Sequence, residues 1–265
     1  MAAINRFHRA LALRALPTLI ALSALVLGPG QAAFASDGYV SGTTGYDISF
    51  PQCTNVSIPD QVTVGAPYQF AIIGVNRGRA FTKNDCLARE YQYVASKGIP
   101  VAFVINLNSP RGALYGQINT ASTCSPSDVA CLNYNYGWSA AADSYSYTRQ
   151  TLQDLGESTV PTTWWMDIEV ANYWSPNTSL NAQVIQGAID YFDEQVSGST
   201  MGIYSVRSMW NRIVGSSYLP GVPAWLAGAR SLAGASRFCN QTSFTGGPVT
   251  LVQYTTRFLD IDYAC

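Results

Sequence analysis

Residues 164–169, "WWMDIE", end the most apolar stretch of the chain with two acidic residues at alternate positions. Side chains two residues apart on a β-strand point to the same face, so Asp167 and Glu169 are predicted to point together. The tryptophans and the methionine before them are typical of a buried strand. The segment therefore predicts a strand that carries a pair of carboxylates at its carboxyl end.

Seven further short apolar or β-branched runs accompany this one. The runs are near-continuously apolar rather than alternating, which is typical of parallel strands covered on both faces. They occupy 45–49, 70–76, 100–108, 162–169, 201–205, 223–229, 250–256 and 258–264. Apolar stripes of helical period lie between several of them, at 84–97, 138–155, 181–196 and 206–214. No helical pattern follows Gly215, and the stretch 109–137 is predicted to be a long loop.

This order of elements predicts an α/β fold, a single (β/α) barrel of the TIM type with a helix-poor last third. A doubly wound open sheet is the alternative. No glycine-rich phosphate loop follows any of the strands, so the nucleotide-binding signature of that alternative is missing. The sequence shows no internal repeat and no linker, and residues 36–265 are expected to form one barrel domain.

Residues 1–35 have the pattern of a secretory signal peptide. Three arginines precede the short apolar run "LPTLIALSALVLG" (16–28), and "AFA" (33–35) fits a cleavage site. The apolar run is short for a membrane span, so cleavage is favoured over anchoring. We expect a secreted, extracellular protein with no membrane span after cleavage.

Cleavage would change the chemistry open to the protein. It would remove His8, the only histidine, and with it Ser-His-Asp and Cys-His catalysis and the usual zinc sites. Twelve basic and sixteen acidic residues would remain, a net charge of −4, and no basic run that would favour nucleic acid. We expect no metal and no cofactor, and chemistry based on carboxylates, tyrosines and amides.

All six cysteines lie after the predicted cleavage site. An even number in a secreted chain favours disulfides, and the spacings match no metal motif. Of the 15 possible pairings, the sequential one closes the shortest loops and is the prediction: Cys53–Cys86, Cys124–Cys131 and Cys239–Cys265.

Acidic residues are predicted to meet at one end of the barrel. Side chains at the carboxyl ends of barrel strands surround the active site, and Asp47 ends the first predicted strand. Asp260 and Asp262 lie on the last strand, which neighbours the first in a closed barrel. Carboxylates crowded in this way cannot all ionise, so at least one pKa should be raised. A protonated and an ionised carboxyl side by side are the chemistry of glycoside hydrolysis.

Four motifs, in order, resemble those of the glycoside hydrolase family 25 lysozymes (muramidases). "GYDISFPQ" (45–52) is similar to the family's G-x-D-x-S-x-x-Q, and "WWMDIE" to its D-x-E strand. "LVQY" (251–254) is similar to its late W-x-Q-Y strand, and "LDID" (259–262) to its final D-x-N/D segment. The resemblance covers most of 45–263. It implies a (β/α)5(β)3 barrel and a secreted, monomeric, retaining glycosidase that cuts the β-1,4 muramyl bond of peptidoglycan.

The resemblance also implies roles for individual residues. Glu169 would be the proton donor, and Asp167 would orient the acetamido group of the substrate or stabilise a charged intermediate. Asp47 and Asp260 would complete an acidic floor, with Asp260 ranked above Asp262 because it matches the first acid of the last motif. Further contacts with the polysaccharide are expected from Gln52, Asn106, Asn108, Tyr173, Trp174, Gln253, Tyr254 and Asp262.

Departures from the family pattern leave two other functions open. The third strand ends in Asn106 and Asn108, where the family has an aromatic residue and a histidine, and the loop 109–137 is longer. A catalytically inactive glycan-binding or cell-envelope protein could keep the same barrel. A chitinase-like glycosidase is the third hypothesis. That family has a further acid two positions before its D-x-E, and Trp165 stands there in this chain.

Overall fold

The computed structural model describes residues 38–55, 68–112, 123–256 and 259–265, in which eight strands close into a barrel in chain order. The strands are β1 (Thr44–Ile48), β2 (Ala71–Gly74), β3 (Val101–Asn106), β4 (Thr163–Asp167), β5 (Thr200–Ser205), β6 (Ala224–Ala229), β7 (Val249–Thr255) and β8 (Asp260–Ala264). All eight predicted strands are confirmed, and so is the α/β barrel. The predicted signal peptide, residues 1–35, lies outside the described residues.

The last strand runs in the opposite direction to the other seven. β1 to β7 run parallel to one another, whereas β8 is antiparallel to both β7 and β1. Only residues 256–259 join β7 to β8. A parallel connection needs a crossover of about a dozen residues or more, so this short link can only turn the chain back.

The helices lie between the strands and confirm four predicted segments with shifted bounds. They are α1 (Phe50–Asn55), α2 (Leu87–Ala95), α3 (Val129–Asp154), α4 (Thr178–Gln195), α5 (Arg207–Val214) and α6 (Leu232–Phe238). The predicted loop 109–137 was wrong over 129–137, because the Asp128 side chain caps α3 by accepting a hydrogen bond from the Cys131 N–H. The expectation of no helix after Gly215 was also wrong. α6 is too short to show an apolar stripe and is started by Ser231, which accepts from the Gly234 N–H.

The alternation of side chains along β4 supplies both layers of the core. Trp165 belongs to a buried cluster drawn from strands around the whole barrel, which places it in the interior with Ile72, Ala102, Trp225 and Leu251. Trp164 and Met166 point the other way and pack under the helices. The indole N–H of Trp165 donates to the Tyr39 hydroxyl at 3.0 Å, so its polar atom is satisfied in the interior. The next inward positions on this strand are Asp167 and, beyond its end, Glu169.

Helices α3 and α4 approach until their backbones touch. A Cβ placed on Gly187 would lie 2.0 Å from the Tyr134 carbonyl oxygen, and one on Gly137 would lie 1.7 Å from the Val184 carbonyl oxygen. No real side chain tolerates such distances. The two glycines therefore determine how closely these helices pack.

Two of the predicted disulfides are confirmed, Cys124–Cys131 and Cys239–Cys265. Cys86 is also disulfide-bonded. The side chain of its predicted partner, Cys53, lies outside the description, so that pairing stays a prediction. In the described part of the chain no helix has both the length and the apolar composition that a membrane crossing requires.

The substitution Gly187→Ala should lower the free energy of unfolding by about 1–3 kcal/mol, because the new methyl group forces α3 and α4 apart. Denaturant titration of the variant beside the wild type measures this. Gly234→Ala is the matched control, since a Cβ there meets nothing closer than 3.5 Å inside a helix. It should leave stability unchanged or raise it by up to about 1 kcal/mol. Equal effects of the two substitutions would contradict the backbone contact.

Candidate active site

A cavity of about 270 Å³ opens at the carboxyl ends of the parallel strands. Four acidic residues line it: Asp47 on β1, Asp167 at the end of β4, Glu169 just after it, and Asp260 at the start of β8. Because β8 runs antiparallel, its first residue lies at the same end of the barrel as the last residues of the other strands. The structure thus brings together the four carboxyls predicted to be catalytic.

Asp47 is held by a chain of hydrogen bonds across the barrel. The Gln253 side-chain amide donates to Asp47 Oδ2 at 2.8 Å, and the Tyr204 hydroxyl donates to Gln253 Oε1 at 2.8 Å. Gln253 is buried on β7 and also lines the cavity. The predicted site residue Gln253 therefore lies within the site and orients Asp47.

Asp167 is held by two asparagines. The Asn106 side-chain amide donates to Asp167 Oδ2. Asn76 in turn fixes Asn106: its Oδ1 accepts from the Asn106 backbone N–H, and its Nδ2 donates to the Asn106 carbonyl, both at 3.0 Å. The other carboxyl oxygen, Asp167 Oδ1, is buried and has no hydrogen-bond partner among the described residues. The protein therefore fixes one oxygen of this carboxyl and leaves the other buried without a described partner.

Asp262 lies deeper than the four cavity acids. It is fully buried on β8, paired in register with Gly45 of β1 and Gln253 of β7, and does not line the cavity. Its polar neighbours are the Asp47 carboxyl and the Trp225 indole, with no well-aligned hydrogen bond to either. Its predicted role in substrate contact is not supported by this position, beneath Asp47.

Burial and mutual repulsion raise the pKa values of these carboxyls. Burial, then the charge of Asp260, raises the pKa of Asp47 to about 7. Burial, then the charges of Glu169 and Asp47, raises the pKa of Asp167 well above its usual range. Burial, then the charges of Asp47 and Asp260, raises the pKa of Asp262 well above its usual range. Burial, then the charge of Asp260, raises the pKa of Glu169. The raised pKa values favour a protonated carboxyl in the site, which a general acid requires.

Other predicted contact residues lie outside this cavity. Gln52 lies at the start of α1, where its side-chain oxygen accepts from the Ser49 N–H at 2.8 Å. Asn108 connects the segment after β2 with helix α3, accepting from the Ala80 N–H and donating to the Tyr136 hydroxyl. Tyr254, one position beyond the inward Gln253, packs against the outer core. Tyr173 and Trp174 line a separate cavity.

Two functional residues escaped the sequence analysis. Tyr204 lines the acidic cavity, and its pKa is raised by burial and by the surrounding carboxylates. It pairs in register with Asp167, so the inward alternation of β5 could have identified it. Asn76 carries no sequence signal, because its contact with Asn106 spans 30 residues.

The polar groups that line the cavity are carboxyls, the side-chain amides of Asn106 and Gln253, the hydroxyls of Ser49 and Tyr204, and the Trp225 indole. Among the described residues, no three His, Cys, Asp or Glu side chains are arranged to hold a metal ion.

Comparison by sequence gives no match: no family model and no curated protein matches the chain. Comparison by structure gives several. A family GH25 lysozyme from Aspergillus fumigatus is 16% identical, with 84% of this chain and 93% of that chain covered and a TM-score of 0.52. The catalytic domain of endolysin ply40, from bacteriophage P40 of Listeria monocytogenes, is 18% identical, with 86% and 95% covered and a TM-score of 0.53.

A bacterial lysozyme from Streptomyces coelicolor is similar in the same way, at 17% identity, 84% and 92% coverage and a TM-score of 0.51. At such identities the likeness is one of fold. It extends over nearly the whole length of these structures. The chain therefore has the fold of the family 25 lysozymes, the family that its motifs resemble.

Proposed function

We propose that the protein is a secreted glycosidase that hydrolyses β-1,4 muramyl bonds of peptidoglycan. The observation that carries the proposal is the meeting of Asp47, Asp167, Glu169 and Asp260 in one cavity at the mouth of a lysozyme-like barrel. Glycosidic bonds are cleaved by paired carboxyls in which one holds a proton and another is ionised. The raised pKa values favour one carboxyl that keeps its proton. Because four acids line the cavity, another carboxyl can be ionised beside it.

Glu169 is the proton donor in this proposal. It lies beyond the end of β4, where the chain leaves the barrel, and is less deeply buried than Asp167. Its proton passes to the bridging oxygen as the bond from that oxygen to the sugar C1 breaks, and the bonding electrons leave with the oxygen. Positive charge then develops on the sugar ring. Water adds at C1 and returns a proton to the carboxylate.

Asp167 acts on the substrate beside the broken bond. Asn106 donates to its Oδ2 and so holds the carboxyl at the wall of the cavity, where it meets a polar group of the sugar, such as an acetamido group. The negative charge shared among the remaining carboxyls stabilises the charged ring, since attraction between charges is strong in a partly dehydrated cavity. Asp47 contributes to this field in an orientation set by Gln253.

The substitution Glu169→Gln should lower the rate of wall digestion by about 100-fold or more, the usual effect of losing a positioned proton donor. Its melting temperature should be unchanged or higher, because the amide removes a charge that burial disfavours. Release of new reducing ends from purified peptidoglycan measures the rate. Glu157→Gln, an exposed change of the same kind, is the control and should retain full activity.

Two results would contradict the proposal. A well-folded Glu169→Gln protein with full activity would place the proton donor elsewhere. A wild-type protein that binds wall saturably and releases no reducing ends would instead support the glycan-binding alternative.

The proposed acid cluster also predicts that the protein is more stable at pH 5 than at pH 8. A carboxyl with a raised pKa stabilises the folded chain below its unfolded pKa of about 4, and this stabilisation is lost as the pH rises through the folded value. That value is about 7 for Asp47, which sets the window between pH 4 and pH 7. Asp262→Asn should raise stability at pH 8 and flatten the dependence. Denaturant titrations at several pH values measure both effects.

Asp193→Asn serves as the control for this experiment, because Asp193 is exposed on α4. It should leave the pH dependence as in the wild type. If the stability of the wild type increases from pH 5 to pH 8, ionisation of the buried carboxyls does not destabilise the folded protein, and the prediction is wrong.

A further inference from the structure

A second cavity, of about 460 Å³, lies beside the acidic one and has no role in the mechanism above. Its walls come from the loop between β4 and α4, from Arg111 after β3, and from the last turn of α5, which contributes Arg212. Tyr173 and Trp174, predicted from the sequence to contact substrate, both line it.

Buried hydrogen bonds hold this cavity in shape. Asn181 of α4 is fully buried, and its side-chain oxygen accepts from the Ser109 hydroxyl and from the Ser175 N–H. Its amide donates to the carbonyls of Ser175 and Ile213. One side chain thus joins the segment before Arg111, the β4–α4 loop and the end of α5. Both residues to which its amide donates line the cavity, so its walls are fixed before any ligand arrives.

The cavity is positively charged, in contrast to its acidic neighbour. Arg111 and Arg212 line it, and no carboxylate does. The ion pair found in the described part of the chain joins Arg77 to Asp85, so neither arginine is neutralised by a described acid. The Arg111 guanidinium lies over the Tyr173 ring, 4.2 Å from its centre, which restricts its orientation. An oriented guanidinium is suited to binding a carboxylate through two parallel hydrogen bonds.

The second cavity adjoins Glu169 of the catalytic one. Val170, which follows Glu169 in the chain, lines it, and the Trp174 indole N–H donates to the Glu169 carbonyl at 2.9 Å. A group bound there would belong to the same substrate molecule as the sugar at Glu169. Repulsion by four acids keeps anionic groups out of the catalytic cavity, so an anionic substituent has to be placed outside it.

We propose that this cavity binds the carboxylates of the peptide that substitutes the sugar chain, so that the enzyme recognises peptide-bearing strands. The inference rests on the proposed function, because it names the substrate feature that the same site selects. Arg111 and Arg212 bind the peptide carboxylates, and Tyr173 holds the first arginine in position. The peptide then anchors the strand while the adjoining sugar bond lies at Glu169.

The test compares two soluble, uncross-linked peptidoglycan preparations freed of phosphate polymers, one intact and one with its peptide carboxyls converted to amides. Binding is measured by calorimetric titration of the Glu169→Gln protein, and cleavage is measured separately with the wild type. Amidation should weaken binding by about tenfold, the usual effect of losing one charge-assisted hydrogen bond. Adding Arg212→Gln should weaken binding of the intact strands by a similar factor and leave binding of amidated strands unchanged. Arg111→Gln should behave in the same way.

Arg149→Gln, an exposed change on α3 with the same loss of charge, is the control and should have no effect. Equal weakening of intact and amidated strands by the Arg212 substitution, or no weakening, would overturn the inference. The inference would also be overturned if amidated strands regained the affinity of intact strands when the phosphate polymers were added back. That result would identify phosphate as the ligand. Wild-type cleavage together with binding that does not depend on the arginines would refute this inference and leave the proposed function standing. Arginine-dependent binding without wild-type cleavage refutes only the proposed function.

Discussion

The antiparallel pairing of β8 between β7 and β1 is the constraint on which the site depends. It closes the barrel with a short link in place of a helix, and it sets Asp47 directly opposite Asp260. The same register places Asp262 opposite Gln253, the residue that orients Asp47. Were β8 to pair one residue out of register, its acids would exchange faces, because side chains alternate along a strand. The strand pairing that closes the barrel is therefore the same pairing that brings the acids together.

The apolar floor beneath the acids gives them their chemistry. Trp165 and Trp225 fill the barrel interior with their rings 5.6 Å apart, so the carboxyls above them face hydrocarbon on one side. Burial is the largest cause of every raised pKa in the cluster, and repulsion between neighbouring acids adds to it. The run of tryptophans before Asp167 thus serves the core and the site at once.

The two cavities at this end of the barrel differ in charge. Four acids line one of them, and two arginines line the other. The two are linked through the residues that follow Glu169, so a substrate carrying both a neutral sugar ring and a nearby anion matches the pair. Sequence resemblance to a family of enzymes does not reveal this difference in charge between the two cavities.

The sequence by itself determined the strands, most of the helices and the identity of the cavity acids, because these follow from local patterns. Period-two alternation is enough to put Asp167 and Glu169 on the face of Trp165, and continuous apolar runs mark all eight strands. Local patterns did not predict the start of α3, which is set by the Asp128 cap, or the short helix α6, which begins at the Ser231 cap. Only the tertiary structure decided the direction of β8, the burial of Asp262, the parts played by Asn76 and Tyr204, and the arginine cavity. Each of these depends on residues far apart in the chain. Sequence patterns do not reveal which distant side chains will be buried together, away from water.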